Sequence, residues 1–138
     1  MNNLKRFGLM VAGMAALATT MTAQDKVEAT VSADFVSDYV WRGQHLGDIS
    51  VQPTLGVAYK GLSLSAWGNY GLSNSDDNKE IDLTLGYTTG GFNVGITDYW
   101  SAKEGKYFSY ASHKTLHVFE ANIGYDFGPV ALQWYTNF

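Results

Sequence analysis

From Asp25 onward the chain changes character at every second residue. In the clearest stretch Ile49, Val51, Pro53, Leu55, Val57 and Tyr59 fall on one side, and Ser50, Gln52, Thr54, Gly56, Ala58 and Lys60 on the other. A period of two marks a strand whose two faces meet different surroundings. The same alternation sets Val27, Ala29, Val31, Ala33, Phe35, Tyr39 and Trp41 against Glu28, Thr30, Ser32, Asp34, Asp38 and Arg42, predicting a first strand from about Val27 to Gly43. It recurs in segments centred on Ala66, Leu83, Val94, Ile123 and Leu132. About seven strands are predicted, and the fold class is all-β.

The connections alternate as regularly as the strands. Lys60-Gly61, Thr89-Gly90-Gly91 and Asp126-Phe127-Gly128-Pro129 are tight, with glycines that supply the positive φ of hairpin turns. Gln44 to Asp48, Ser73 to Lys79 and Ser101 to Lys114 are longer and polar. Short turns at one end and long loops at the other are the habit of bacterial outer-membrane barrels, whose turns are periplasmic. The expected architecture is therefore an antiparallel up-and-down transmembrane β-barrel. Its outer aromatic girdle would contain Tyr39, Trp41, Tyr70 and Trp100, and its periplasmic girdle Tyr59, Tyr87 and Tyr125 with Phe92 and Phe127.

The N-terminus supports export. Lys5 and Arg6 precede an uncharged, apolar and small-residue run from Phe7 to Ala18, and Thr19 to Ala23 leads to a cleavage point before Gln24 or Asp25. This reads as a signal peptide over residues 1–23, too short in its apolar core for the ~20 residues of a spanning helix. Residues 24–138 are then the barrel domain. Without the signal, basic residues fall from 9 to 7 against 13 acidic ones, and the formal charge moves from −4 to −6. Such a chain has no electrostatic reason to bind nucleic acid. It has no cysteine, which removes disulfides, thiolate metal sites, a cysteine nucleophile and an N-terminal lipid anchor.

Seven strands are an odd number, whereas bacterial barrels close with even ones, because open edges are not tolerated in lipid. The expectation is a chain truncated at Phe138, against a small barrel with one strand more or fewer. Val130, Leu132, Trp134, Thr136 and Phe138 have the alternating, Phe-ended form read by barrel-assembly machinery, on a strand predicted to rise rather than descend.

Ser37-Asp38-Tyr39-Val40-Trp41-Arg42-Gly43, with Pro53 ten residues on, resembles the start of the TorF-type porins, a family of bacterial outer-membrane barrel proteins. The likeness covers the first mature strand and the beginning of the second. It implies an outer-membrane location and a pore, and brings no known substrate. Asp38 and Arg42 are four residues apart, about 13 Å along a strand, too far to pair directly. Arg42 is the one arginine of the mature chain, and Asp34 and Asp38 are the first-strand acids able to clamp it.

Other chemistry is weaker. His113 and His117, near Glu120, would lie about 13 Å apart on a strand, beyond the reach of one ion. Ser109, Ser112 and His113 have no acid or oxyanion hole placed beside them by spacing. Asn74 to Asn78 lacks the glycine and terminal glutamate of a twelve-residue calcium loop. No enzyme, metal or cofactor is expected. The expected partners are outer-membrane lipid, the assembly machinery and small solutes, the oligomeric state being left open. Two functions remain: a pore favouring cations or neutral solutes, lined by Glu28, Asp34, Asp38, Arg42, Asp82, Glu120 and Asp126, or a structural or adhesive barrel filled by its own side chains.

Overall fold

The computed structural model describes residues 26–73, 79–101, 107, 110 and 117–138. Among these the regular structure is all strand. Seven strands form one antiparallel sheet in the order β1 (Glu28–Val36), β4 (Ser50–Tyr59), β5 (Leu62–Gly71), β6 (Lys79–Thr89), β7 (Phe92–Ser101), β8 (His117–Asp126) and β9 (Ala131–Asn137). A separate hairpin, β2 (Tyr39–Trp41) and β3 (Gln44–Gly47), interrupts the connection from β1 to β4. The sheet is not closed: β1 pairs only with β4, and β9 only with β8.

Tight turns fix the register. Arg42-Gly43, Lys60-Gly61 and Gly90-Gly91 each have both central residues at positive φ, the type I′ geometry whose twist matches that of the flanking strands. At the β8–β9 turn Asp126 instead accepts a hydrogen bond from the Gly128 amide at 2.7 Å, so its carboxylate caps the turn. Pro53 sits inside β4 and lacks an amide proton. The ladder to β5 is interrupted at Gln52 and Pro53, without a change of register, and there the Gln52 side chain donates to Asn69 Oδ1 at 2.9 Å.

Partners across each ladder share a face. One face collects Val31, Leu55, Leu64, Leu83, Ile96, Ile123 and Trp134 with their neighbours, and these side chains are exposed. The other collects Gln52, Ser65, Trp67, Asp82, Thr84, Thr97, Glu120 and Asn122. Burial is therefore inverted. Among the described residues, glycines apart, the buried ones are Ser50, Asn69, Glu80, Asp98, His117 and Glu120, with Tyr39 the one hydrophobic residue among them.

The sequence expectation fails in the first strand. The alternation from Val27 predicts a strand through to Gly43, with Tyr39 and Trp41 on the apolar face; β1 instead ends at Val36. Ser37 and Asp38 break the ladder, the Arg42-Gly43 turn reverses the chain, and the hairpin folds over the polar face. Tyr39 is buried there, 5.6 Å from the Trp67 ring, and Trp41 packs 6.4 Å from Tyr99. Neither belongs to an outer girdle.

The turns provide a stability test. Gly61 has φ +89°, and a Cβ there would collide with the Thr88 carbonyl; at Gly90, φ is +53° and the space is open. Gly61→Ala should lower the urea midpoint by the equivalent of about 1–3 kcal/mol, and Gly90→Ala by about 1 kcal/mol. Equal effects would show that the turn geometry assigned here is wrong.

Candidate functional site

The polar face at the loop end of the sheet carries the densest polar contacts. Glu80 and Asp82 are two residues apart on β6, so both point to this face. Trp67 lies opposite Asp82, and Asn69 opposite Glu80. On β8, Glu120 lies opposite Thr97, with Tyr99 beyond. Over these groups lies the hairpin. Tyr39 donates its phenol proton to Glu80 at 2.8 Å. Burial first, and the Glu80 carboxylate second, hold the phenol above its ordinary range, so it remains a donor.

Arg42, at the tip, makes a forked pair with Glu120: Nη1 to Oε2 at 2.7 Å and Nη2 to Oε1 at 2.9 Å. Glu120 Oε1 also accepts from the Tyr99 hydroxyl at 3.0 Å. The guanidinium carbon stands 5.0 Å from the Trp41 ring centre and 4.8 Å from that of Tyr135. Planar and delocalised, the guanidinium can take a carboxylate edge-on while its faces meet rings, which a lysine cannot reproduce. Arg42 has φ +45°, a conformation costing a non-glycine residue on the order of 1 kcal/mol. The fork offsets that cost.

Of the predicted pore-lining residues, the fold brings Arg42 and Glu120 together, with Asp82 on the same face. Asp82 Oδ1 is buried without a hydrogen-bond partner among the described residues. Arg42 is held by Glu120 rather than by the expected first-strand acids. Asp34 stays on the β1 edge opposite Gln52, and Asp38 lies 3.4 Å from His45. Glu28, opposite Ala58, is exposed, and Asp126 caps its turn. Of the predicted girdle, Tyr70 and Trp100 lie on the apolar face at the loop end, and Tyr59, Tyr87 and Tyr125 on that face at the turn end. Lys60 and Lys79 place their ammonium groups 5.4 Å and 5.2 Å from the rings of Tyr59 and Tyr70.

Several contributors escaped the sequence reading. Asp98 and Tyr99 lie near the end of β7, which runs to Ser101. Asp98 consequently falls on the apolar face, where Oδ1 lies 2.7 Å from His117 Nδ1 and Oδ2 accepts from the hydroxyls of Tyr110 at 3.2 Å and Tyr107 at 3.5 Å. His117 Nε2 meets the Tyr107 carbonyl. With both ring nitrogens engaged, His117 acts as a clasp. Ser109, Ser112, His113 and Asn74 to Asn78 lie outside the described residues. The chain matches no protein-family model, no curated protein and no solved structure.

A double-mutant cycle measures the fork. Because Glu120 is buried and Arg42 half-exposed, Arg42→Gln and Glu120→Gln should couple by about 1–2 kcal/mol in urea unfolding, below the value for a fully buried pair. Each single variant should also shift tryptophan emission to the red as Trp41 and Trp67 gain water. Additive effects would mean that the hairpin is held by something else.

Proposed function

We propose that this chain forms the wall of an outer-membrane β-barrel that passes small solutes, with the β2–β3 hairpin folded inward as a constriction. The inverted burial pattern carries this reading. Every strand of the sheet presents exposed apolar side chains on one face, among them Leu55 at 56 % and Leu85 at 51 % on interior strands, while Glu80 and Glu120 on the other face are under 10 % exposed. In water so broad an apolar face is a liability; against hydrocarbon it is the surface required. Backbone groups satisfied between strands meet the demand of the bilayer wherever the ladders run. The tyrosines at both strand ends and the Lys5-Arg6 leader fit the same reading, as does the resemblance of Ser37 to Gly43 to the TorF-type porins.

On this reading the polar face lines the passage. Glu28, Asp34, Glu80, Asp82, Glu120 and Asp126 lie along it, and Arg42, already committed to Glu120, is the basic side chain set against them. The resulting potential favours cations and neutral solutes over anions. A second reading, a structural barrel without conductance, draws on one observation: the hairpin and its rings occupy much of the polar face at the loop end.

Two measurements test the proposal. Val57→Arg or Leu83→Arg should impair insertion into lipid vesicles by the equivalent of about 2–4 kcal/mol, with Thr54→Arg and Thr84→Arg, on the opposite face, better tolerated. Equal sensitivity of the two faces would overturn the membrane assignment. In planar bilayers the reversal potential across a salt gradient should report cation preference, reduced by Glu28→Gln with Asp34→Asn, exposed acids of the polar face, and most visible at low salt, where the Debye length reaches about 30 Å at 0.01 M. Glu120→Gln, which loosens the hairpin, should raise conductance. A silent or anion-selective protein would sink the pore and leave the structural barrel.

A further inference from the structure

We propose that Asp38, His45 and Asp48 form a site for a divalent transition-metal ion of the zinc type at the stem of the β2–β3 hairpin. One ligand atom from each residue lies within 4.8 Å of the others. His45 Nε2 is 3.4 Å from Asp38 Oδ1 and 3.4 Å from Asp48 Oδ1. That spacing exceeds the 2.7–3.2 Å typical of an N–H···O hydrogen bond. It equals the edge of a tetrahedron, about 3.4 Å, drawn around an ion with bonds of about 2.1 Å to imidazole nitrogen and carboxylate oxygen. One imidazole with two carboxylates suits zinc and its neighbours; calcium would require six to eight oxygens, and magnesium avoids dedicated all-protein cages.

The placement gives the ion a task. Tyr39 pairs with Gly47 as the first rung of the hairpin, and Val36 pairs with Ser50 as the last rung between β1 and β4. Asp38 and Asp48 flank the gap between these rungs, one on each strand leaving the main sheet. A shared ion would cross-link the stem where backbone pairing is interrupted. All three side chains reach solvent, with 28 %, 53 % and 52 % exposure for Asp38, His45 and Asp48. Entry therefore needs no opening, and a water can take the fourth position. His45 sits on β3 and presents Nε2 to both carboxylates.

Titration of zinc chloride into the folded mature chain, followed by calorimetry, tests the site without reference to membrane insertion or conductance, so its failure would leave the proposed function standing. One ion should bind per chain. His45→Ala and Asp48→Asn should each weaken binding by at least about 10-fold, the lower end of what even an outer-shell partner contributes. His113→Ala should leave it unchanged. Exposed as they are, His45 and Asp48 should be replaceable without loss of folding, which urea unfolding of each variant checks. Absence of binding up to about 1 mM zinc, or equal affinity in wild type and His45→Ala, would overturn the proposal. So would binding lost only with His113. Binding is read at pH 7.5 because a proton on Nε2 competes with the ion.

Discussion

The pairing of Arg42 with Glu120 is the contact on which the loop end of this molecule depends. A sheet that turns its apolar side outward brings its acids together on the other face, and a carboxylate shut away from water without a partner costs several kcal/mol. Glu120 meets that demand through a guanidinium 78 residues away in sequence. The fork also decides where the hairpin lies. With Arg42 anchored on β8 and Tyr39 on β6, β2 and β3 span the polar side from one strand to another that is not its neighbour. Trp41, Trp67, Tyr99 and Tyr135 then find ring partners or a cation, and the loop end becomes a packed region rather than an open sheet.

The edges impose the second constraint. β1 and β9 each have one side without a ladder, and Phe35 and Val31 stand nearly bare beside the first of these edges. In water such edges invite pairing with another chain; in hydrocarbon each unsatisfied amide or carbonyl costs several kcal/mol. A membrane location therefore requires both edges to be paired, by further strands or by another copy. Alternation across the seven-stranded sheet leaves one continuous apolar face exposed whichever way the edges are paired.

Much of this was legible in the alternation and the glycines. Residues facing the same way on β4 through β9 could be listed from a period of two, and each tight turn was marked by Lys60-Gly61, Gly90-Gly91 or Gly128. The method failed where the strand failed. Periodicity assigns a face only while the ladder continues; the ladder stops at Ser37-Asp38, yet Tyr39 and Trp41 keep the parity of β1. The warning was Arg42-Gly43 itself, a turn dipeptide inside a supposed strand. Glu120 as the partner of Arg42 was beyond reach, because spacing along the chain says nothing about which non-adjacent strand a hairpin will fold onto. Asp98 was equally hidden, because a carboxylate on the apolar parity of β7 has no meaning in the pattern until Tyr107, Tyr110 and His117 are seen around it.

Asp98 also shows how the two faces obey one rule. On the apolar side, the carboxylate is screened by His117, Tyr107 and Tyr110, whose rings stack at 4.2 Å between Tyr110 and His117 and pack at 5.1 Å between Tyr107 and His117. On the polar side, Glu80 and Glu120 are screened by Tyr39, Tyr99 and Arg42. Each time a segment from the loop end brings aromatic rings with polar tips, which satisfy the charge while presenting carbon to their surroundings. At the turn end connections of two to four residues leave little chain to fold back, and the acids there are not covered: Glu28 is exposed and Asp126 caps its own turn. Segments long enough to cover charge exist only at the loop end, so the charges that a sheet of this inverted kind can bury are confined there too. Among the described residues the buried acids, Glu80, Asp98 and Glu120, accordingly all lie toward that end.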